Sequence, residues 1–281
     1  MRVFDTIRKI KKYLSEDKFI NKTVGFVPTM GALHEGHLEL MRRAKKENDI
    51  LVVSIFVNPI QFNNQEDLRK YPRDFDRDKQ LLEQVGCDIL FAPTVEDMYP
   101  ENMVVEEFDF GELATVMEGA FRPGHFNGVA VVVKRLFNII EPTRAYFGEK
   151  DFQQLAIIQK LVEIEEMPIK IVPCPIVREP DGLAMSSRNE RLTANERAIS
   201  PFIYQTLQAA VEIKLQKSAL DIKQWVVDRF EKEPAFSLEY FEIADDKTLQ
   251  NVTKWDSQRG TVGFIAAYLG KVRLIDNIRF Y

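Results

Sequence analysis

Between residues 24 and 172, short apolar runs alternate with stretches whose apolar residues recur every three or four positions. The first run, Val24 to Val27, reads as a buried strand, and Pro28, Thr29, Met30 and Gly31 break it as a turn would. An amphipathic stretch follows, with Leu38, Met41, Ala44 and Leu40 toward one side. Arg42, Arg43, Lys45 and Lys46 gather near its end, where a helix C-terminus favours cations. Ile50 to Val57 is a continuous run rich in β-branched residues, the pattern of a strand covered on both faces. A helix is predicted over 73–85 and a strand from Asp88 to Ala92. Val104 to Phe110 is a more polar extended piece, expected nearer an edge. Residues 111–140 have a Gly- and Pro-interrupted middle and then a long apolar helix from about Asn127. Ala145 to Phe147 predicts a short strand, GEKD a turn, Phe152 to about Glu165 a helix, and Ile169 to Val172 another strand. At the N-terminus, Val3, Ile7, Ile10 and Leu14 form a helical stripe that predicts a short helix over 3–17. Strands alternating with helices indicate βαβ units and a mostly parallel sheet.

The pattern changes near residue 177. VREPDGLAMSSRNERLT is polar and bears Gly and Ser, so it reads as a loop. Two helices follow, near 194–216 and 219–232, then strand-like runs at 238–244, 261–269 and 272–280. Helices followed by strands suggest a small α+β domain. The expected division is 1–176 and 177–281.

Composition narrows the class. The chain has 281 residues, is 45% hydrophobic and 29% charged, and carries a net charge of −5. That balance is ordinary for a globular protein and argues against a general nucleic-acid binder, which usually carries a basic excess. Cys87 and Cys174 sit in or beside apolar runs and are expected as buried free thiols. The N-terminus lacks the apolar core of a signal peptide, and no apolar run approaches the roughly 18 residues of a membrane span. A cytoplasmic location without membrane partners is the resulting expectation.

Two of the three histidines, His34 and His37, fall where the helix after the first turn begins. A helix N-terminus presents free N–H groups and partial positive charge, and so attracts phosphates. Residues three apart on a helix share a face, and Gly36 between them leaves the backbone open to a flat ligand. A metal pair is the rival reading. HEGH lacks the four-residue ligand spacing of HExxH, and no nearby cysteine or third histidine completes a set. Lys150, between a strand and a helix, can reach a phosphate as a mobile point charge. Gln61 and Gln154 can bind a carboxylate or hydroxyls without adding charge. Met185-Ser186-Ser187-Arg188 offers two hydroxyls and a guanidinium on a loop able to close over a triphosphate. His125 either joins the site or caps the helix after it, the cap being the expectation, and Arg122 is a cationic partner for an anionic substrate. In parallel sheets ligands bind at the carboxyl ends of strands, and His34 with His37, NPIQF and GEKD each fall just after a predicted strand, so these three clusters converge on one edge by topology.

The motifs PTMGALHEGH, SIFVNPIQF, EGAFRPGHFNGVA, AYFGEKDFQQL and VREPDGLAMSSRN, in that order, resemble the pantothenate synthetase (pantoate–β-alanine ligase) family. They span about 28–190, and EYFEIAD and RLIDNI are similar further on. HxGH alone would indicate only the wider nucleotidylyltransferase superfamily. Ile60 and Thr143 are small departures from the family's pattern. The resemblance implies an α/β, Rossmann-like nucleotide- and pantoate-binding domain with helices on both faces, and a C-terminal α+β lid. It implies ATP-dependent condensation of pantoate with β-alanine through a pantoyl adenylate, Mg²⁺ carried on the ATP phosphates, and a homodimer. By the same resemblance, Met30, Gly31, Ala32, Leu33, His34, Glu35, Gly36 and His37 line the ATP site, with His37 donating to the phosphates and His34 assisting. Gly148, Glu149, Lys150 and Asp151 contact nucleotide, and Val177, Met185, Ser186, Ser187 and Arg188 complete that site. Gln61 and Gln154 hold pantoate, Gln61 also lying near where β-alanine enters, with Asn58, Tyr71 and Arg122 in support. Two other readings stand beside this one: a transferase that stops after moving a nucleotidyl group, and a regulatory module that binds nucleotide without chemistry.

Overall fold

A computed structural model describes all of residues 1–281. The strands are β1 (Arg2–Phe4), β2 (Val24–Thr29), β3 (Ile50–Ile55), β4 (Ile89–Phe91), β5 (Arg144–Gly148), β6 (Lys170–Cys174), β7 (Phe236–Asp245), β8 (Thr261–Leu269) and β9 (Val272–Arg279). The helices are α1 (Ile7–Leu14), α2 (Glu35–Glu47), α3 (Gln65–Lys70), α4 (Phe75–Gln84), α5 (Val95–Met98), α6 (Glu118–Phe121), α7 (His125–Ile140), α8 (Phe152–Ile164), α9 (Ala194–Ile199), α10 (Phe202–Glu212) and α11 (Ala219–Glu231). Contacts divide the chain into two compact units. The first holds residues 1–110, 122–149 and 154–175; the second holds 111–121, 150–153 and 176–281.

In the first unit, six parallel strands lie in the order β1-β4-β3-β2-β5-β6. Alternate residues of β2 serve opposite faces, as the two-residue repeat of a strand requires. Val27 joins Leu38, Met41 and Ala44 of α2, Leu51 and Val53 of β3 and Leu82 of α4 in one cluster. Phe26 meets Phe137 of α7 edge-on, and Phe137 meets Phe147 of β5 the same way. The sheet is therefore covered by helices on both faces, which explains why its strands read as unbroken apolar runs. From β2 the chain runs outward through β3 and β4 on one side, and later through β5 and β6 on the other. The carboxyl ends of β2 and β5 flank the point where strand order reverses, where such sheets form a binding crevice.

Three local expectations change. Residues 2–4 form a strand, not the start of a helix. Arg2 donates to Asp88 O and Ala92 donates to Phe4 O, so pairing with distant β4 overrides the local stripe. Residues 104–110 join no sheet. Asn127 of α7 accepts from the Phe108 N–H and donates to Glu106 O, so a side chain takes the place of a strand partner. The helix predicted over 194–216 is two helices, because Pro201 follows Ser200 and has no N–H to continue the ladder.

In the second unit, antiparallel strands in the order β7-β8-β9 pack against α10 and α11 through Ile203, Leu207, Ile222, Val226, Phe230, Phe241, Ile265 and Leu274. The segment 111–121 is bound into this unit by polar contacts. Glu118 accepts from both terminal nitrogens of Arg273, at 2.6 and 2.9 Å, and from the Tyr240 hydroxyl at 2.7 Å. Gln153 donates to Leu113 O and Val116 O and accepts the Glu118 N–H. Both cysteines are buried and free, and no helix is long and apolar enough to cross a membrane.

Candidate active site

The turn after β2 is built around a buried carboxylate. Asp78 of α4 accepts the N–H of Ala32 at 2.9 Å and of Leu33 at 2.7 Å. Thr29 Oγ1 donates to Ser54 O and accepts the Gly31 N–H. Gly31 and Ala32 both take positive φ, 82° and 50°. A Cβ at Gly31 would stand 2.9 Å from Asp78 Oδ2, so glycine suits both the φ and the approach. Burial raises the Asp78 carboxyl above its ordinary range, and the two amide hydrogen bonds oppose that rise.

His34 caps α2 in extended conformation, and His37 lies in its first turn. The His34 N–H donates to His37 Nδ1 at 3.4 Å. With Nδ1 accepting, a neutral His37 ring carries its proton on Nε2. The two rings sit 4.0 Å apart at 40°. His34, Gly36 and His37 are half-buried and Glu35 is exposed.

Gln61 ends the short helical turn Pro59–Gln61 after β3, and its side chain is held on several sides. Asn58 Nδ2 donates to Gln61 Oε1 at 2.9 Å and to Gly128 O at 3.0 Å. Tyr99 donates to Asn58 Oδ1 at 2.7 Å. Gln61 Nε2 lies 3.3 Å from Met30 Sδ, which brings the turn after β3 to the turn after β2. His125 Nδ1 is 2.8 Å from Gln61 O, so this histidine braces Gln61; the cap of α7 is Gly124. Gly128 permits the approach, since a Cβ there would come within 2.6 Å of Ile60 O. Tyr71 is buried edge-on against Phe62. Arg122 is half-buried and its carbonyl accepts the His125 N–H. Gln154 is half-buried in the first turn of α8, beside the buried Gln153 that anchors 111–118.

Gly148 ends β5, the neighbour of β2, and Glu149 follows it, both in the first unit; Lys150 and Asp151 belong to the second. Lys150 Nζ lies 3.8 Å from an Asp151 carboxylate oxygen. Val177 and Met185 meet in a hairpin, where Met185 donates to Val177 O at 3.0 Å and Arg178 bridges Ala184. Ser186 Oγ then accepts the Arg188 N–H and opens the turn Ser187–Arg191. No group of three or more His, Cys, Asp or Glu is placed to hold a metal ion.

The sequence model of the pantoate–β-alanine ligase family matches residues 2–279. The chain belongs to that family. A pantothenate synthetase of Phocaeicola vulgatus is 51% identical over 281 residues, covering 100% of this chain and 99% of the relative. One from Bacteroides thetaiotaomicron is 50% identical over 280 residues, with 100% and 99% covered. The crystal structure of pantothenate synthetase from Thermus thermophilus superposes with a TM-score of 0.93 at 43% identity, covering all of both chains. A pantoate–β-alanine ligase from Francisella tularensis, solved with beta-gamma ATP and beta-alanine, gives 0.81 at 37% identity, covering 100% of this chain and 98% of that one.

In this member of the ligase family, sequence reasoning missed the residues that shape the site from behind. Asp78 carried a faint signal: it stands four residues before Leu82, so a carboxylate shares the core-facing side of α4. Tyr99 and Gly128 gave none, because their partners lie 41 and 70 residues away along the chain.

Proposed function

We propose that the chain is an AMP-forming ligase that condenses pantoate with β-alanine. The pantoate carboxylate attacks the α-phosphorus of ATP, pyrophosphate leaves, and pantoyl adenylate forms. The amine of β-alanine then attacks the acyl carbon, loses a proton, and AMP departs with pantothenate as product. A carboxylate is a poor acyl donor until its oxygen belongs to a good leaving group. The first step also brings two anions together, so positive charge must be placed in advance.

Met30 to His37 line the ATP site, with the His37 Nε2–H donating to the phosphates and His34 assisting. Lys150 and Arg188 neutralise charge moving onto pyrophosphate. Gly148, Glu149 and Asp151 contact the nucleotide, Asp151 at the ribose, and Val177 and Met185 to Ser187 complete the site. Gln61 and Gln154 hold pantoate; Asn58 acts by fixing the Gln61 amide, with Tyr71 and Arg122 in support. Mg²⁺ travels on the ATP phosphates. Residues 177–281 work as a lid; scattering profiles unchanged by an adenylate analogue would refute that. A homodimer in the cytoplasm is the working assembly. Val104 and Val105, 88% and 48% exposed on the extended segment outside the sheet, support a covering partner. A monomer by sedimentation at micromolar concentration would overturn it.

The observation that carries the ligase reading is Gln61, an uncharged amide held rigidly beside Met30 of the nucleotide turn. A transferase acting on nucleotides alone has no use for such a group. The test is pyrophosphate–ATP isotope exchange with and without pantoate, followed by β-alanine. Exchange that needs pantoate, then AMP release on adding β-alanine, is expected. Exchange indifferent to pantoate would point to another acceptor, and tight ATP binding without turnover to a binding module.

A further inference from the structure

The RLIDNI stretch forms most of β9, and none of its residues has a part in the chemistry above. Asp276 and Asn277 lie side by side on it, 4% and 6% exposed. Two buried polar side chains in succession on an edge strand need partners, and theirs are specific. Asn277 Nδ2 donates to the main-chain oxygen of Lys150 at 3.1 Å. Asp276 receives both terminal nitrogens of Arg178, at 2.6 and 2.9 Å. Arg178 also donates to Asn277 O and to Gly182 O, and its guanidinium lies 3.7 Å from the centre of the Tyr204 ring. The Asn277 N–H returns to Asp276 Oδ1 at 2.7 Å, which ties the two anchor points together.

Arg178 is the root of the hairpin that leads directly into Ser186-Ser187-Arg188. It bridges Ala184, while Glu179 donates to Leu183 O and Met185 to Val177 O. One pair of adjacent residues therefore grips the backbone of Lys150 and the base of the loop that carries Arg188. A lysine or arginine head group on a long stem goes where its backbone lets it go, and a misplacement of about 1 Å can lower a rate by about 100-fold.

We propose that Asp276 and Asn277 are positioning residues for adenylate formation, holding Lys150 and the Arg188 loop in fixed register on one strand. This rests on the assignment of Lys150 and Arg188 to the phosphates of ATP. It predicts that Asn277 acts through Lys150 and Asp276 through the loop, with no contact of their own to substrate.

The experiment uses the full-length protein and separates the half-reactions. Asn277→Ala is expected to slow pantoate-dependent pyrophosphate–ATP exchange by about 10- to 100-fold. Consumption of preformed pantoyl adenylate by β-alanine stays within about twofold of wild type, because pyrophosphate has already left. Asn277→Ser, too short to reach the Lys150 oxygen, behaves the same way. In the Lys150→Ala background, Asn277→Ala adds no further loss, and Asp276→Asn adds none to Arg188→Ala. Exchange at the wild-type rate in Asn277→Ala would overturn the proposal. So would equal loss in both half-reactions, the mark of a structural role, or losses that multiply in the double variants. Wild-type protein lacking pantoate-dependent exchange would remove the ligase reading itself, a failure visible before any variant is made.

Discussion

The turn after β2 and the hairpin at 177–185 each lead into residues suited to phosphate, and they are held in opposite ways. In the turn, the backbone itself is fixed: Asp78 accepts two consecutive N–H groups, and Gly31 and Ala32 take left-handed conformations. In the hairpin, the root is fixed by a side-chain ion pair, Arg178 with Asp276, and the residues beyond Met185 are held by local bonds such as Ser186 with Arg188 and Asn189 with Ala184. The difference teaches how a site divides its work. The turn is set in main chain, where the N–H groups of Gly31, Ala32 and Leu33 each have a side-chain acceptor. The hairpin is instead fixed at its root through side chains, Arg178 with Asp276, so its position depends on one ion pair on β9.

Variants can break this contrast. Asp276→Ala strikes the anchor and leaves Arg178 with a buried, uncompensated charge. A loss of about 3–5 kcal/mol is expected, toward the lower end because Arg178 keeps some contact with water, and is read as a fall in the urea midpoint. His37→Ala in the cradle and Lys150→Ala should each slow adenylate formation by about 100-fold or more, about 2.7 kcal/mol, while the melting temperature stays close to wild type. Single-turnover pyrophosphate release at near-normal rate would remove either residue from its role. Asp78→Asn keeps the shape but turns an N–H donor toward one of the two amides it now accepts. It should cost about 1–3 kcal/mol of stability and weaken ATP binding; unchanged ATP affinity would separate the cradle from the site. Ala32→Gly is the smallest. Relief of left-handed strain, about 1 kcal/mol, is offset by the entropy of glycine, and thermal unfolding should shift by less than about 0.5 kcal/mol.

Much of the fold was legible because the central strands are covered on both faces. Ile50 to Ile55 and Val24 to Val27 announce themselves as apolar runs whatever surrounds them. β1 was not, because three residues become a strand only when Ile89–Phe91 lies beside them. The segment 104–110 looked like an edge strand and has the composition of one; a single asparagine, Asn127, takes up its backbone instead. The helix predicted over 194–216 takes no account of Pro201, whose missing N–H divides it. In the site, His34, His37, Gln61, Lys150 and Arg188 stood out as polar residues just after apolar runs or in a Gly- and Ser-bearing loop. Of the residues that aim them, Asn58 and His125 stood out in other roles, and Asp78 and Tyr99 did not stand out at all. A buried aspartate on a helix looks like any charged helical residue until its acceptor role is seen, and His125 braces a carbonyl 64 residues away.

The bond between Glu118 and Arg273 also has a history in time. The two residues are 155 positions apart, and a ribosome adding about 5–20 residues per second needs about 8–30 s to cross that gap. For that interval the strap at 111–121, already made, waits for strands not yet translated. The middle of this chain is completed by a part made later, so a nascent protein halted before β9 keeps Glu118 without its arginine and Lys150 without its asparagine.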